Sequence, residues 1–305
     1  QNKASLINHM EKNMIIFKKN KIHTKSKIDI FFPMVHGTGG EDGSIQGLIE
    51  TLNRPYVGCN VKSSAICMDK ILTKQILINE SVRVAKFCFF TKYEWKSNKI
   101  EINKQIKNQF GFPCFVKASN LGSSVGVYMV KNKIELERKI TQAFKFTEKV
   151  IVEEAIINPE EVEISILQSG KYVVSNPGRI IPSDKFYSYN AKYIDGKSII
   201  EIPYKRAIKN NLLMNEIKST SLKVFKLLDC SGMARIDFLF GATKNISKPK
   251  LYLSEVNTIP GFTEISMYPK LLINEGLKLE KIIDLLIKQS EKEFKNKNNL
   301  ITNFI

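Results

Sequence analysis

The sequence lacks the cysteine patterns that mark a zinc site or a disulfide-stabilised domain. Its cysteines are five, an odd number, at positions 59, 67, 88, 114 and 230, and none forms a Cys-x-x-Cys pair. Most of them stand among apolar residues, which suggests neither metal binding nor a disulfide framework. This usage is typical of a chain that works in the reducing cytoplasm.

Long apolar runs are also missing. No stretch approaches the roughly 20 residues that a membrane-spanning helix needs. The first residues, QNKASLINHMEKNM, lack the apolar core that a signal peptide has. We therefore expect no membrane partner and a cytoplasmic location. The first residue is Gln rather than Met, which predicts a processed or incomplete N-terminus.

Acidic residues are outnumbered by basic ones. The 305 residues include 47 Lys+Arg and 30 Asp+Glu, for a net charge of +17. The lysines are scattered among Asn and Ile, without an Arg-rich helix or an RNA-binding aromatic signature. We interpret this charge as compositional drift and predict no nucleic-acid partner. The length and the 43% hydrophobic content fit two or three globular domains.

The first part of the chain has the pattern of an open α/β unit. A strand is predicted over residues 28–35, then the glycine-rich loop HGTGGEDGSIQG, a helix over 45–52 and a short strand over 55–57. Strand, loop, helix and strand in this order predict a parallel sheet. One amphipathic helix over 63–80 is expected to lead out of the unit.

Two further regions of mixed strands and helices follow. Strands over 112–118, 125–130 and 150–154 with a helix over 133–144 predict a small α+β lobe. Strands over 163–167 and 172–174 and helices over 211–228 and 279–294 come later, and we expect the polar tail to fray. The long loop SDKFYSYNAKYIDGKS suggests a functional flap, because it is long and rich in aromatic residues.

The stretch LYLSEVNTIPGFTEISMYP places an acid and an amide two residues apart on an apolar strand. Side chains at i and i+2 of a strand share a face, so Glu255 and Asn257 point the same way. Arg235 and Asp237 repeat this arrangement in GMARIDFLF. If the two strands pair, the oxygens would suit magnesium that holds substrate phosphates. The alternative is two half-exposed strands with solvated charges.

The loop SNLGSSVG is a candidate phosphate-binding loop. Gly122 and Gly126 would let the backbone approach an anion, and the hydroxyl groups of Ser123 and Ser124 could donate to it. The loop is neither a Walker A motif nor a dinucleotide fingerprint. Lys117 ends the preceding apolar strand and could supply a point charge to a phosphate oxygen. A Gly-Ser hairpin turn is the alternative.

These motifs together resemble the D-alanine:D-alanine ligases of the ATP-grasp superfamily, from about Phe31 to the final helix. The matching stretches are HGTGGEDGSIQG, SAICMDKILTK, FVKASNLGSSVGV, VIVEEAI, FYSYNAKYID, GMARIDFLF and EVNTIPGFTEISMYPKL. The resemblance implies an α/β protein with α+β lobes: a partial N-terminal lobe (1–68), a central lobe (69–155) and a C-terminal lobe (156–305). ATP would lie between the last two lobes, and two D-alanines would be joined for peptidoglycan.

The resemblance also implies roles for individual residues. Two magnesium ions, with manganese as an alternative, would be held by Asp237, Glu255 and Asn257. Arg235 would stabilise developing charge, together with donors near Gly261. Lysines contacting the ATP phosphates would be Lys70, Lys117 and Lys192, and carboxylates near the adenine amino group and the ribose would be Glu153 and Glu161. Positions around the D-alanines would be His36, Ser123, Tyr193, Ser266 and Met267. A tyrosine at 193, rather than a histidine, resembles the enzymes that make the dipeptide.

The chain departs from the family at its beginning. Members start with a strand, a glycine turn and a helix that carries a glutamate near the first D-alanine, and no such pattern precedes residue 28. Glu11 lacks the flanking residues, so the role is not transferred to it. Two hypotheses stay open: an active ligase, or a relic that binds ATP and magnesium without catalysis. A ligase for another substrate pair is a third. The family commonly dimerises through its N-terminal lobe, so a homodimer is expected.

Overall fold

A computed structural model describes residues 3–7, 14–19, 22–122, 125–181 and 199–300. The helices are α1 (Ser44–Thr51), α2 (Val61–Met68), α3 (Lys70–Asn79), α4 (Lys92–Ser97), α5 (Lys99–Gln109), α6 (Lys133–Ala143), α7 (Lys205–Ile208), α8 (Asn211–Leu227), α9 (Met267–Asn274) and α10 (Leu279–Asn298). The strands are β1 (Lys3–Ile7), β2 (Met14–Lys19), β3 (Ile22–Lys27), β4 (Phe87–Thr91), β5 (Cys114–Ala118), β6 (Val127–Val130), β7 (Lys149–Glu154), β8 (Ile157–Ser169), β9 (Lys171–Val174), β10 (Gly178–Ile181), β11 (Ile199–Glu201), β12 (Met233–Thr243) and β13 (Ile246–Asn257).

The N-terminal region differs from the predicted parallel unit. Strands β1, β2 and β3 form an antiparallel sheet. The predicted strand over 28–35 is wrong, because only Phe31 pairs there, in a single parallel bridge to Tyr56. Two backbone hydrogen bonds hold this bridge, from Phe31 N to Pro55 O and from Val57 N to Phe31 O. The predicted parallel direction is therefore present at one bridge, without a regular strand. The predicted helix over 45–52 corresponds to α1.

The predicted single helix over 63–80 is two helices, α2 and α3. Asp69 interrupts them, because its backbone is extended and its side chain accepts hydrogen bonds from the N–H groups of Ile71 and Leu72. A capping aspartate of this kind satisfies donors that the first turn of a helix leaves unpaired. The break lets Lys70 begin a new helix, with Lys74 one turn further on the same face.

The central region is the predicted small α+β lobe. Its sheet has the order β4-β7-β5-β6, and all three pairings are antiparallel. Val116 and Val152 on one face of the sheet pack against Ile106 of α5 and Ile140 of α6. Since neighbouring strand residues point to opposite faces, Lys117 and Glu153 lie on the other face, away from this core.

The C-terminal region is built on a sheet of the order β11-β10-β8-β12-β13, with β9 also paired to β8. Val162, Ile164 and Ile166 of β8 pack against Ile217 and Phe225 of α8. The alternate residues of β8 therefore face the other side of the sheet, where the candidate site lies. The predicted final helix is confirmed as α10. It continues to Asn298, so the expected fraying over 295–298 is wrong.

Two predictions from composition can be compared directly with the structure. All five cysteines are free and buried, as the absence of Cys-x-x-Cys pairs indicated. In the part of the chain that the structure describes, no helix is both long enough and apolar enough to cross a membrane. The predicted flap over 183–198 lies outside the described residues, and the three lobe boundaries stay predictions.

Candidate active site

Polar side chains gather in cross-strand rows on one face of the C-terminal sheet. Asp237 of β12 stands directly opposite Glu163 of β8 on one side and Glu255 of β13 on the other. In the next row, Arg235 stands opposite Asn257 of β13. The predicted pairing of the two strands is thus confirmed, and the antiparallel register places the residues side by side because opposed residues share a face.

Arg235 is the charged centre of this face. Its Nε and Nη2 donate to the two carboxylate oxygens of Asp237 at 2.8 and 2.7 Å, and Nε also lies 2.9 Å from Glu163 Oε2. Burial by itself would lower the pKa of Arg235, but Asp237 and Glu163 outweigh it and hold the pKa well above its ordinary value. The guanidinium is therefore permanently charged and fixed in orientation by a bidentate contact.

The oxygens on this face fit a divalent metal. Asn257 Nδ2 donates to Asp237 Oδ2 at 2.9 Å, and Glu255 stands opposite Asp237. Among the described residues, no three His, Cys, Asp or Glu side chains gather as a metal-binding cluster. The candidate set consists of two carboxylates and an amide, and oxygen donors of these kinds suit magnesium.

Three lysines face this acidic sheet from the central lobe and from α3. Lys117 Nζ donates to Glu153 Oε2 at 2.8 Å, and Lys74 Nζ lies 3.4 Å from Glu153 Oε1. Burial would raise the pKa of Glu153, but the ammonium groups of Lys117 and Lys74 overcome this effect and hold the pKa at about 2. The charge of Lys70 also acts on this carboxylate. Glu153 is therefore ionised and surrounded by positive charge.

Lys70 connects the two halves of the site. Its Nζ donates to the carbonyl of Leu121 at 2.5 Å, and its backbone N–H donates to Ser119 O at 2.9 Å. Burial lowers the pKa of Lys70, and Glu255 is the charge that opposes this most strongly, ahead of Glu153. Lys70 thus lies near carboxylates of both sheets. A chain of phosphates between the sheets would meet ammonium groups on one side and metal ligands on the other.

The glycine-rich loop of residues 36–47 borders the same space. The ring Nδ1 of His36 donates to the carbonyl of Ile259 at 3.0 Å, which joins this loop to the segment after β13. Glu41 accepts a hydrogen bond from the N–H of Gly37 at 2.7 Å. Burial raises the pKa of Glu41, and His36, Glu255 and Arg235 all act on its charge. His36 therefore lies beside the segment that follows β13, and its role beside the D-alanines stays a prediction.

A second rim is formed by the segment from Gly261 to Ser266. Ser266 Oγ accepts a hydrogen bond from the N–H of Thr263 at 3.1 Å and lies 2.8 Å from Thr263 Oγ1. A methyl group on Gly261 would lie only 2.7 Å from Ser266 Oγ. The side chain of Met267 packs into a core with Ile180, so it would contact a substrate only through its backbone at the start of α9.

Six predicted site residues either lie outside the described residues or lie in surroundings that differ from their predicted roles. Ser123, Ser124, Lys192 and Tyr193 lie outside the described residues. Glu161 stands opposite Leu239, on the same face as Asp237 and one row further from Arg235. The resemblance puts Glu153 near the adenine amino group, whereas its carboxylate contacts two lysines here. The ribose and adenine roles stay predictions.

The sequence reasoning missed three residues of the site, and each had a signal. Lys74 lies four residues after Lys70, which places both on one face of α3. Glu163 lies two residues after Glu161 on an alternating strand. Glu41 lies inside the matched loop HGTGGEDGSIQG. The signal was a spacing for Lys74 and Glu163 and a position in a matched loop for Glu41. Solvated surface residues show the same signals, so only the burial of these side chains distinguishes them from surface residues.

Two α+β lobes with a lysine-lined face opposite an acidic sheet are the arrangement of an ATP-grasp ligase. Family models agree with this class and narrow it. The model described as "D-ala D-ala ligase C-terminus" matches residues 76–288, and the one described as "D-ala D-ala ligase N-terminus" matches residues 1–59. The motif resemblance begins at about Phe31, whereas this second family model matches from residue 1.

Individual relatives agree as well. The chain is 41% identical over 289 residues to a D-alanine–D-alanine ligase of Caldicellulosiruptor bescii, which covers 95% of this chain and 77% of that protein. The solved D-alanyl-alanine synthetase A of Vibrio cholerae superposes with a TM-score of 0.81 at 30% identity, over 94% of this chain and 83% of that one. The VanG D-Ala:D-Ser ligase of Enterococcus faecalis superposes with a TM-score of 0.78 at 31% identity, over 94% and 79%.

The chain belongs to the D-alanine–D-alanine ligase family. The family is one of ligases that use ATP and a divalent metal and serve peptidoglycan precursor synthesis. The alternative of a non-catalytic relic is not favoured, because similarity to these ligases extends over 95% of the chain and the described carboxylates and lysines are together.

Proposed function

We propose that the two faces of this site divide the ligation between them. The lysine face, with Lys70 and Lys117, would hold the phosphates of ATP, and Lys192 would join it from the flap. The acidic face would hold two magnesium ions at Asp237, Glu255 and Asn257. The observation that carries this proposal is the register of β12 and β13, which puts Asp237 opposite Glu255 and beside Arg235.

The chemistry begins with a carboxylate, which is a poor acyl donor. The carboxylate of the first D-alanine takes the γ-phosphoryl group of ATP, and the ammonium groups of Lys70 and Lys117 offset the charge of the phosphate oxygens. Bound magnesium would supply further charge neutralisation. Because both lysines are already oriented by Leu121 and Glu153, little reorganisation is needed when the phosphates arrive.

The second step is attack by an amine. The amine of the second D-alanine attacks the acyl carbon, and phosphate leaves with the electron pair of the broken C–O bond. Arg235 and backbone donors near Gly261 would stabilise the negative oxygen of the tetrahedral state. His36, Ser123, Tyr193 and Ser266, with the backbone of Met267, would position the two D-alanines. Tyr193 would favour the dipeptide as product.

We also propose that the chain is cytoplasmic and forms a homodimer. The free, buried cysteines fit the reducing cytoplasm, where the precursor dipeptide would be made. The family's dimers favour a homodimer formed through the N-terminal lobe. Sedimentation of the purified chain would test this: a mass near twice 34.8 kDa supports the dimer, and a monomer at all concentrations contradicts it.

Phosphate release from ATP that depends on D-alanine tests the functional proposal. We expect release from the wild-type chain with D-alanine and none with L-alanine. Lys117→Ala and Asp237→Ala should fold and show no measurable turnover, since each removes a group worth ~10²–10³ in rate. The matched control is Lys107→Ala, an exposed lysine on α5. Near-native turnover by either site variant would refute the assignment.

A further inference from the structure

Lys74 is a buried lysine for which the proposed mechanism has no role. Its side chain is only 2% exposed, although lysines are almost never buried unless they are paired. Its one ion-pair partner in the part of the chain that the structure describes is Glu153, at 3.4 Å. The ammonium group of Lys74 is therefore paired with one carboxylate among the described residues.

Glu153 divides its two oxygens between two lysines. Oε2 accepts a hydrogen bond from Lys117 at 2.8 Å, and Oε1 faces Lys74. The side chain of Glu153 is 6% exposed, and that of Lys117 is 17% exposed. Lys117 is therefore the partner that reaches the open space of the site, whereas Lys74 stays behind the carboxylate.

The negative charge of Glu153 would disfavour phosphate binding nearby, and the positive charge of Lys74 offsets it. An ionised carboxylate behind the phosphate site would repel the triphosphate and compete with it for Lys117. A second ammonium group on the far oxygen cancels the charge of Glu153 independently of Lys117. The charges of Lys117 and Glu255 both act on Lys74, so this ion pair lies near both the lysine proposed to bind phosphate and the acidic sheet.

A purely structural role explains Lys74 poorly. Taking two charges out of water costs several kcal/mol per ion, so a well-packed apolar pair is often as stable as a buried salt bridge. The neighbouring buried positions of α3, Ile71 and Leu77, show that the helix already has an apolar face. A charged pair at this position therefore points to a task other than packing.

We propose that Lys74 is a positioning residue for ATP: it is the standing counter-ion of Glu153, and it leaves Lys117 available to the phosphates. This inference rests on the proposed assignment of Lys117 to phosphate binding. Removing Lys74 alone should leave Glu153 with Lys117 as its one close partner. Lys117 would then be held by the carboxylate, and ATP would bind more weakly.

The test compares Lys74→Met, which keeps the length of the side chain without its charge, with Lys74→Arg, with Glu153→Gln and with the double variant Lys74→Met/Glu153→Gln. The control is Lys281→Met, an exposed lysine on α10. The readouts are the Kd of ATP, the KM values for ATP and D-alanine, and the melting temperature. These separate a loss of nucleotide binding from a loss of fold.

We expect Lys74→Met to raise the Kd and KM for ATP about tenfold or more, with the KM for D-alanine changed less than about twofold. Lys74→Arg should restore most of the affinity. The double variant should bind ATP within about threefold of Glu153→Gln alone, because no unpaired carboxylate then holds Lys117.

Two results would overturn the inference. The first is a Lys74→Met protein with a lower melting temperature and an unchanged KM for ATP. The second is a folded double variant that binds ATP more than about tenfold more weakly than Glu153→Gln alone, and this arm decides the matter if Lys74→Met alone does not fold. A wild-type chain that binds no ATP would instead refute the proposed function itself.

Discussion

Asp237 and Glu255 stand directly opposite each other on β12 and β13, with Arg235 bound to both oxygens of Asp237. Two carboxylates this close would repel each other, and the guanidinium compensates for part of that repulsion. A divalent metal would compensate for the rest. From this pair we predict that a divalent cation bound here would stabilise the site as well as serve catalysis.

Asp237→Asn should make this dependence measurable. The amide keeps the shape of the side chain but removes the charge that holds both Arg235 and a metal. We expect turnover to fall by at least ~10³, with a higher magnesium concentration needed for any residual activity. The measurement is D-alanine-dependent phosphate release across a magnesium titration. Asp284→Asn, at an exposed position of α10, should behave as wild type, and an unchanged magnesium requirement in Asp237→Asn would count against the metal site.

Arg235→Lys tests the bidentate contact of the guanidinium with Asp237 rather than its positive charge. A lysine keeps one positive charge but cannot donate to both oxygens of Asp237 in parallel. We expect kcat to fall by ~10²–10³ with a much smaller change in the KM for ATP. Steady-state kinetics with each substrate varied would check this. A variant with wild-type kcat would show that Arg235 acts only as a point charge.

Glu153→Gln should reduce the loss of folding stability that occurs as the pH falls. The pKa of Glu153 is held at about 2, below its ordinary value of 4.5, so the unfolded chain binds this proton first as pH falls. Glu153 thus contributes stability above pH 4.5 that is lost progressively as the pH drops towards about 2.

Chemical denaturation from pH 7 down to the onset of acid unfolding would measure this effect. Wild type should lose stability more steeply below pH 4.5 than Glu153→Gln does. Glu101→Gln, on the exposed side of α5, serves as the matched control and should follow wild type. Parallel profiles for wild type and Glu153→Gln would mean that the lysines do not hold this carboxylate ionised.

Gly261→Ala should disturb the pocket for the second D-alanine. The added methyl group would lie 2.7 Å from Ser266 Oγ, so Ser266 must move away from Thr263. We expect the KM for D-alanine to rise about tenfold or more while the KM for ATP stays unchanged. Gly47→Ala, where a methyl group meets nothing closer than 3.9 Å, is the control. Equal effects on both KM values would place Gly261 outside the amino-acid pocket.

The strand part of the site could be predicted from the sequence because a strand has a period of two. Glu255 and Asn257, and Arg235 and Asp237, each had to share a face, and only the pairing register was unknown. That register depends on the short turn between β12 and β13 and on the register shifts within their pairing, which strand periodicity does not predict. The wrong strand over 28–35 has another cause: its apolar pattern is strand-like, but only Phe31 finds a partner, in the distant Tyr56.

The helical part was harder to predict. Lysines on helices are usually solvated, so the sequence pattern alone favoured a solvated Lys70 over a phosphate ligand. The family resemblance assigned Lys70 to the site, and Lys74 was not identified. Burial of α3 between the two sheets depends on tertiary packing, which Leu77 makes with the C-terminal core. The break at Asp69, which orients both lysines, looks from the sequence like one more polar residue in an amphipathic helix.

The most direct test of the account is the fate of oxygen during turnover. With D-alanine labelled by ¹⁸O in its carboxylate, activation of that carboxylate by ATP predicts transfer of one labelled oxygen to phosphate for each dipeptide formed. Mass spectrometry of the released phosphate would measure it. Unlabelled phosphate, or phosphate released without dipeptide, would contradict the claim that these lysines and carboxylates activate an amino acid.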